Sequence, residues 1–345
     1  MTANASRVSV VVPCRNEARH ITSLLEAIRL QSYVVGEVVV VDSSSDNTAD
    51  VVAAYCREHP SLATSVVPVV KASIPAAVNA GVVRATGEVI VRLDGHCIPD
   101  ADYITRAVAA LEESAEVGVV GGVWHVAPGA NTRVAEAIAR AGSHPAGAGD
   151  AAYRIAQATT ARQDVDTVPF GCYRKTLWTE LGGLNEDLLS NEDYEFNYRV
   201  RESGRRVVLD PGIRSTYFAR ATFGALARQY FRYGWWKVVM LRQHPTSLRW
   251  RQAVPAAFVA VLIALGVLAV FSQVAIVVLA GLLAFYAAVL ALAAADAGRK
   301  AGKWRLLPLL IVAFATIHLC WGFGAVVNLG TAGRWPFKRG HASTY

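Results

Sequence analysis

The run at 8–46, VSVVVPCRNEARHITSLLEAIRLQSYVVGEVVVVDSSSD, decides the fold class. VSVVV at 8–12 and EVVVV at 37–41 are β-branched runs with turn residues behind them, and between them Ile21, Leu24, Leu25 and Ile28 recur at helical spacing. Valine runs of this length suit strands that are apolar on both faces, and the i, i+3, i+4, i+7 pattern gives a helix one apolar stripe. The order strand, helix, strand is a βαβ unit. It continues with a helix at 48–59, a strand near 65–70, a helix at 76–84, a strand at 89–93, a helix at 102–114 and a strand at 117–123. Short continuous apolar strands alternating with amphipathic helices predict an α/β domain on a parallel sheet covered on both faces.

Ligands of such sheets bind at the carboxyl ends of the strands. Those ends are polar here: Cys14-Arg15-Asn16-Glu17, then Asp42-Ser43-Ser44-Ser45-Asp46, then Asp94-Gly95-His96. Farther on, GSHPAGAGDAA at 142–152 reads as a mobile loop. Val168-Pro169-Phe170-Gly171 returns to the core, and 191–203 is a helix with Glu192 and Asp193 in its first turn. No GxGxxG follows the first strand, which disfavours a Rossmann dehydrogenase.

The 345-residue chain is 53% hydrophobic and 18% charged. Soluble domains carry about 25% charged residues, so part of this chain is not built to face water. A disordered chain and a disulfide scaffold are both excluded by this composition. No Asp, Glu, Lys or Arg occurs at 252–295 or at 306–333, and each stretch is long enough to cross about 30 Å of hydrocarbon. Spans are expected at 253–271, 274–295 and 306–330, the first two joined through Ser272 and Gln273.

The formal charge of +7 is concentrated. From Arg199 to Arg251 there are twelve Arg or Lys against two acids, a net of +10, so the remainder is slightly acidic. Within that belt, TFGALARQYFRYGWWKVVMLRQ at 222–243 interleaves aromatics with arginine, as an interfacial amphipathic helix does. A basic belt just before a membrane segment predicts anionic membrane lipid as partner, not nucleic acid. The loop at 296–305, with Arg299, Lys300, Lys303 and Arg305, is expected in the cytoplasm. Arg334, Lys338 and Arg339 after the third segment leave two readings: an exception to the positive-inside rule, or a re-entrant segment broken at Gly322 and Gly324.

The expected organisation is a cytoplasmic catalytic domain at 1–221, an interfacial helix at 222–251, a membrane region at 252–333 and a short basic tail at 334–345. Five cysteines without a CxxC pair fit a reducing compartment and packing roles, and the apolar run ended by Pro13 is too short for a signal-peptide core. The expected location is therefore the cell's inner membrane, crossed more than once, with the catalytic domain in the cytoplasm.

Carboxylates at 42 and 94, Asp-x-His at 94–96 and the acidic pair at 192–193 fit sugar transfer from a nucleotide diphosphate. That chemistry uses a divalent cation to neutralise the departing diphosphate and a carboxylate to take the acceptor's proton. Plainer readings stand beside it. Asp42 suits a turn or helix cap, His96 a loop position with its bonds satisfied, and Glu192 and Asp193 a helix N-terminus.

VVVPCRNE, VVDSSSDNTAD, RLDGH, NEDYEFNYR and QYFRYGWWK, in that order, make residues 7–251 resemble an inverting family 2 glycosyltransferase of the GT-A fold. The subtype is similar to the ExoA-type, membrane-attached glucosyltransferases of succinoglycan assembly. The resemblance implies that Pro13, Arg15, Asn16 and Glu17 border the nucleotide, that Asp42 accepts from the uracil ring, and that Asp46 supports its turn. It matches Asn79 and Gly81 to the family's Asn-x-Gly beside the nucleotide. Asp94 and His96 match its metal-binding Asp-x-Asp with His in the second position, which keeps Mn²⁺ or Mg²⁺ as cofactor. Asp193 of the Glu192-Asp193 pair matches the base. Gln229, Arg232 and Tyr233 match Gln-x-x-Arg-Trp with Tyr for Trp, bringing Arg232 to the diphosphate, although a lipid-facing arginine is the plain alternative.

For the acceptor, the resemblance points to Phe170, Gly171 and Arg174 and to the loop carrying His144, Gly147 and Tyr153, where a flexible linker is an equal reading. His318, Trp321 and Asn328 suit a lipid carrier or helix packing. The implied reaction moves a hexose, glucose from UDP-glucose, to a hydroxyl of a lipid-linked saccharide in polysaccharide or glycolipid assembly. The rivals are a polyprenyl-phosphate glycosyltransferase and a non-catalytic nucleotide-binding scaffold. A processive synthase is disfavoured, since no membrane helix precedes the catalytic domain.

Overall fold

A computed structural model describes residues 7–71, 73–149, 151–155 and 161–331. The basic tail at 334–345 lies outside the described residues. The chain divides into two compact units, one of 1–125, 156–217 and 337–345, the other of 126–155 and 218–336.

In chain order the elements are β1 (Val8–Cys14), α1 (Ile21–Arg29), β2 (Glu37–Asp42), α2 (Thr48–Glu58), β3 (Thr64–Pro68), α3 (Ile74–Arg84), β4 (Val89–Arg92), β5 (Ile98–Pro99), α4 (Tyr103–Glu112), β6 (Val117–Ala127), α5 (Arg133–Gly142), α6 (Pro145–Ala148), α7 (Ala152–Ile155), β7 (Gln163–Asp164), β8 (Cys172–Arg174), α8 (Lys175–Leu181), α9 (Glu192–Glu202), β9 (Arg206–Phe218), α10 (Phe223–Gln243), α11 (Trp250–Leu268), α12 (Gln273–Ala301) and α13 (Leu307–Gly330).

The first unit is a mixed sheet under helices. Among the described residues the strand order is β3-β2-β1-β4-β8-β6-β9-β5, with β7 paired to β9. β1 pairs in parallel with β2 and β4, and β2 with β3, so Asp42 lies beside Cys14 in register. Every residue of β1 is buried, and α1 covers it with Ile21, Leu24, Leu25 and Ile28, the four predicted positions. Each such side chain contributes about 1.5–3 kcal/mol by leaving water.

The far half departs from the expected parallel sheet, because β8 is antiparallel to both β4 and β6. A strand buried on both faces reads as a continuous apolar run in either direction. The pattern in the sequence therefore reports burial and not polarity.

The second unit is helical. The stretch expected as a mobile loop forms the short helices α6 and α7. His144 caps α6, its Nδ1 accepting from the Ala146 amide at 3.1 Å, and its Nε2 lies 3.0 Å from Asp296. Among the described residues three helices are long and apolar enough to cross a membrane: Trp250–Leu268, Gln273–Ala301 and Trp304–Gly330, with mean hydropathies of 1.9, 2.7 and 2.1. The third is continuous through Gly322 and Gly324, so the break considered for it is absent.

Those glycines serve packing instead. A Cβ on Gly322 would strike the Pro255 carbonyl, one on Gly324 the Phe231 carbonyl, and one on Gly234 the Trp321 carbonyl. α10, expected to lie along the membrane interface, thus buries Trp235 and Trp236 and meets α13 backbone to backbone, where Asn328 donates to the Trp235 carbonyl at 3.2 Å. That bond gives the Asn328 amide nitrogen a helix-packing role. Gly234→Val should force the two helices apart and cost about 1–3 kcal/mol, read as a lower thermal midpoint in detergent.

Candidate active site

The carboxyl ends of β1, β2 and β4 deliver three polar turns to one edge of the sheet. After β1, Asn16 takes a left-handed backbone (φ 58°) that asparagine tolerates. Its Oδ1 accepts from the Ser45 and Asp46 amides at 2.9 and 3.3 Å, and its own amide donates to Ser44 Oγ at 2.7 Å. Asp42 holds the second turn by accepting from the Ser44 amide at 3.1 Å, while Asp46 accepts from the Thr48 amide at 3.0 Å. Pro13 and Glu17 are buried, and Arg15 is half-buried. The expected nucleotide border is therefore one interlocked pair of turns.

The third turn follows β4. His96 Nδ1 lies 2.9 Å from Glu17 Oε1. Gly95 lets the turns meet, because a Cβ there would stand 2.9 Å from Glu17 Cγ and 3.1 Å from Cys14 Sγ. Cys14, Cys97 and Cys172 are buried, and burial raises each thiol's pKa, in keeping with packing roles.

Arg92, the last residue of β4, organises the site. It is 3% exposed, and its guanidinium meets Asp94 at 3.0 Å, Glu192 at 3.7 Å and Asp193 in a short contact. Reading the motif RLDGH for its acids passed over Arg92. The signal was an arginine inside a strand apolar on both faces, since a buried cation there needs carboxylate partners.

Glu192 and Asp193 begin α9 behind Asn191, whose backbone is also left-handed (φ 65°). α9 is fixed by Asn197, which donates to Thr167 Oγ1 and the Val168 carbonyl at 2.9 and 3.1 Å. Arg199 reaches the Gly183 carbonyl at 2.6 Å. The acidic pair thus sits at a helix start and on Arg92 at once.

Asp193 keeps 31% of its side-chain surface. The cleft around it removes enough water to push its pKa up to about 7; Glu192 and Asp94 add to this rise, and Arg92 opposes it. Such a carboxyl changes protonation near neutral pH, the range best suited to general acid–base chemistry.

The metal expectation can be tested against the donor set. Among the described residues no three His, Cys, Asp or Glu side chains form a metal cage. Asp94 shares Oδ1 with Arg92 and His96 engages Glu17, so the turn offers one carboxylate and one imidazole. That number suits a cation that keeps water and takes substrate phosphates as its other ligands.

Phe170 and Gly171 reach this edge. Phe170, left-handed (φ 51°), lies 5.4 Å from Trp124, and the Gly171 carbonyl accepts from the Arg92 amide at 3.2 Å. Trp124 stacks on Tyr217 at 4.2 Å, an aromatic wall that reading the sequence did not single out.

Three expected positions carry structural contacts. Asn79 binds the Leu184 carbonyl and amide, both at 2.9 Å, and so braces the loop before α9. Gly81 packs under the sheet, where a Cβ would strike Val11 and Val41. Arg174 pairs with Val89, at the opposite end of β4 from Asp94, and caps the Leu111 and Val117 carbonyls at 2.7 and 2.9 Å.

The remaining expected positions belong to the second unit. On α10, Gln229 donates to Tyr233 Oη at 2.9 Å, and Arg232 is carried on the same helix. Tyr153 lies in α7 with the Arg154 guanidinium 5.6 Å from its ring centre, and His144 precedes α6.

Comparison with known proteins bears on these features. Residues 5–235 match the family model described as glycosyltransferase like family 2. The Rhizobium meliloti succinoglycan biosynthesis protein ExoA is 28% identical over 326 residues, covering 91% of this chain and 92% of its own. A Methanococcus voltae dolichyl N-acetyl-alpha-D-glucosaminyl phosphate 3-beta-D-2,3-diacetamido-2,3-dideoxy-beta-D-glucuronosyltransferase is 24% identical over 252 residues, 70% of this chain and 76% of its own. Among solved structures, the mannosyltransferase PcManGT from Pyrobaculum calidifontis, in complex with GDP-Man and Mn2+, superposes with a TM-score of 0.63 at 22% identity, covering 93% of this chain and 86% of its own.

Proposed function

The chain belongs to the family 2 glycosyltransferases, with a GT-A-like domain and three long apolar helices, and from that premise we propose an inverting transfer of glucose from UDP-glucose to a hydroxyl of a lipid-linked saccharide. The observation that carries this reading is Asp193, a carboxylate partly open to solvent and gathered with Asp94 on the buried Arg92. In the reaction the acceptor oxygen attacks the anomeric carbon as its proton passes to Asp193. The bond from that carbon to the UDP oxygen breaks on the opposite face, and the configuration inverts.

Asp94 and His96 would hold a divalent cation together with diphosphate oxygens and water, and that cation would neutralise the leaving UDP. Imidazole favours Mn²⁺ over Mg²⁺, and the neighbouring mannosyltransferase holds Mn2+. The interlocked turns of Asn16, Asp42 and Asp46 are suited to the nucleoside. The basic belt at 199–251 and Arg299, Lys300, Lys303 and Arg305 support a catalytic unit on the cytoplasmic side of a membrane, against anionic lipid.

A polyprenyl-phosphate acceptor is already ionised and needs no base, so an assembled Asp193 favours a hydroxyl. The test is nucleotide release across UDP- and GDP-sugars, with a lipid-linked saccharide or polyprenyl phosphate as acceptor. UDP release from UDP-glucose that depends on the saccharide supports the proposal, and turnover with polyprenyl phosphate alone sinks it. Chelation should abolish turnover, and Mn²⁺ should restore more of it than Mg²⁺.

A further inference from the structure

Behind Asp193 lies a cavity of about 10 Å³, lined by Arg92, Gly171, Tyr173, Asp193, Phe196 and Asn197 among others. One water needs about that much room and two to four polar partners. Tyr173 is 3% exposed, and its hydroxyl is buried without a hydrogen-bond partner among the described residues. The phenol cannot swing away to find one. Its ring stacks on Trp178 at 4.8 Å and lies 5.7 Å from Phe196.

Leaving a buried hydroxyl unpaired costs about 1–3 kcal/mol, and native structures relieve such groups with ordered water. Further partners line the same cavity. Asn197 commits its amide nitrogen to Thr167 and Val168, which leaves its Oδ1 to accept. Arg92 takes up Oδ1 of Asp193, and the other carboxylate oxygen has no partner among the described residues.

We propose that this cavity holds one ordered water bonded to Tyr173 Oη, Asn197 and Asp193, and that Tyr173 is a positioning residue for the catalytic carboxylate. The water donates to Asp193, fixes its rotation on Arg92 and favours its ionised form. Tyr173 acts only through it. This rests on the reading of Asp193 as the base.

Two measurements test the proposal. A high-resolution structure of the intact chain should show density for one water within hydrogen-bond distance of Tyr173 Oη and Asp193. Tyr173→Phe keeps the ring and removes one partner of the water. It should lower kcat about three- to tenfold, the worth of one hydrogen bond. Donor KM should stay unchanged, and the acid limb of kcat/KM should move to higher pH. A dry cavity, or a Tyr173→Phe profile superimposable on the wild type, overturns the proposal. The base reading fails separately: full activity in Asp193→Asn would remove it whether or not the water is seen.

Discussion

Asp193→Asn should lower kcat by about 10²- to 10⁴-fold, the range of a lost general base, while binding of UDP changes little. The amide keeps the shape and can still accept from Arg92, so the loss isolates proton transfer. In the wild type, kcat/KM should fall tenfold per pH unit below about 7, where burial has placed this carboxyl. The same substitution has a second consequence. A carboxyl whose pKa is raised on folding contributes stability that is present below its unfolded pKa near 4 and is lost as pH rises through the folded value near 7. Asparagine has no such loss. The thermal midpoint of Asp193→Asn relative to wild type should therefore climb between pH 4 and pH 7, whereas a misfolded variant would be less stable throughout. Transfer at wild-type rate would dismiss Asp193 as the base.

Arg92→Met should be the most damaging change to the fold of the catalytic unit. It leaves Asp94, Glu192 and Asp193 around a position that is 3% exposed with no cation between them. Removing one member of a buried ionic cluster costs about 3–5 kcal/mol, mainly through the charges left behind. Arg92 is what holds the Asp193 pKa down against burial, so without it that pKa rises further, and the destabilisation should be severe at pH 8 and shrink towards pH 5 as Asp193 protonates. Arg92→Lys restores the charge without the planar fork that spans three carboxylates, and should recover part of the stability and little of the activity. Thermal unfolding at both pH values reads these effects. A methionine variant as stable as wild type at pH 8 would show that Arg92 does not neutralise the cluster.

Much of this molecule was legible in local pattern. Valine runs separated by an apolar helical stripe gave β1, α1 and β2, because burial on both faces admits few polar residues and each period belongs to one kind of element. The charge-free stretches gave the three long helices, because the cost of charge in hydrocarbon is written residue by residue. The polar strand ends at 15–17, 42–46 and 94–96 followed from where parallel strands terminate.

Long-range partners were not legible. Nothing local makes β8 antiparallel to β4, turns Asn79 towards Leu184, or sets Arg174 on the Leu111 and Val117 carbonyls at the far end of the sheet. Arg92, Asp94 and Asp193 lie in two segments about a hundred positions apart, and only folding brings their charges together on one guanidinium. Sequence determined which chemistry was present, because residue types and periods are local properties. The tertiary structure decided which groups share a desolvated cleft, because burial and Coulomb coupling depend on distances that only the packed chain fixes.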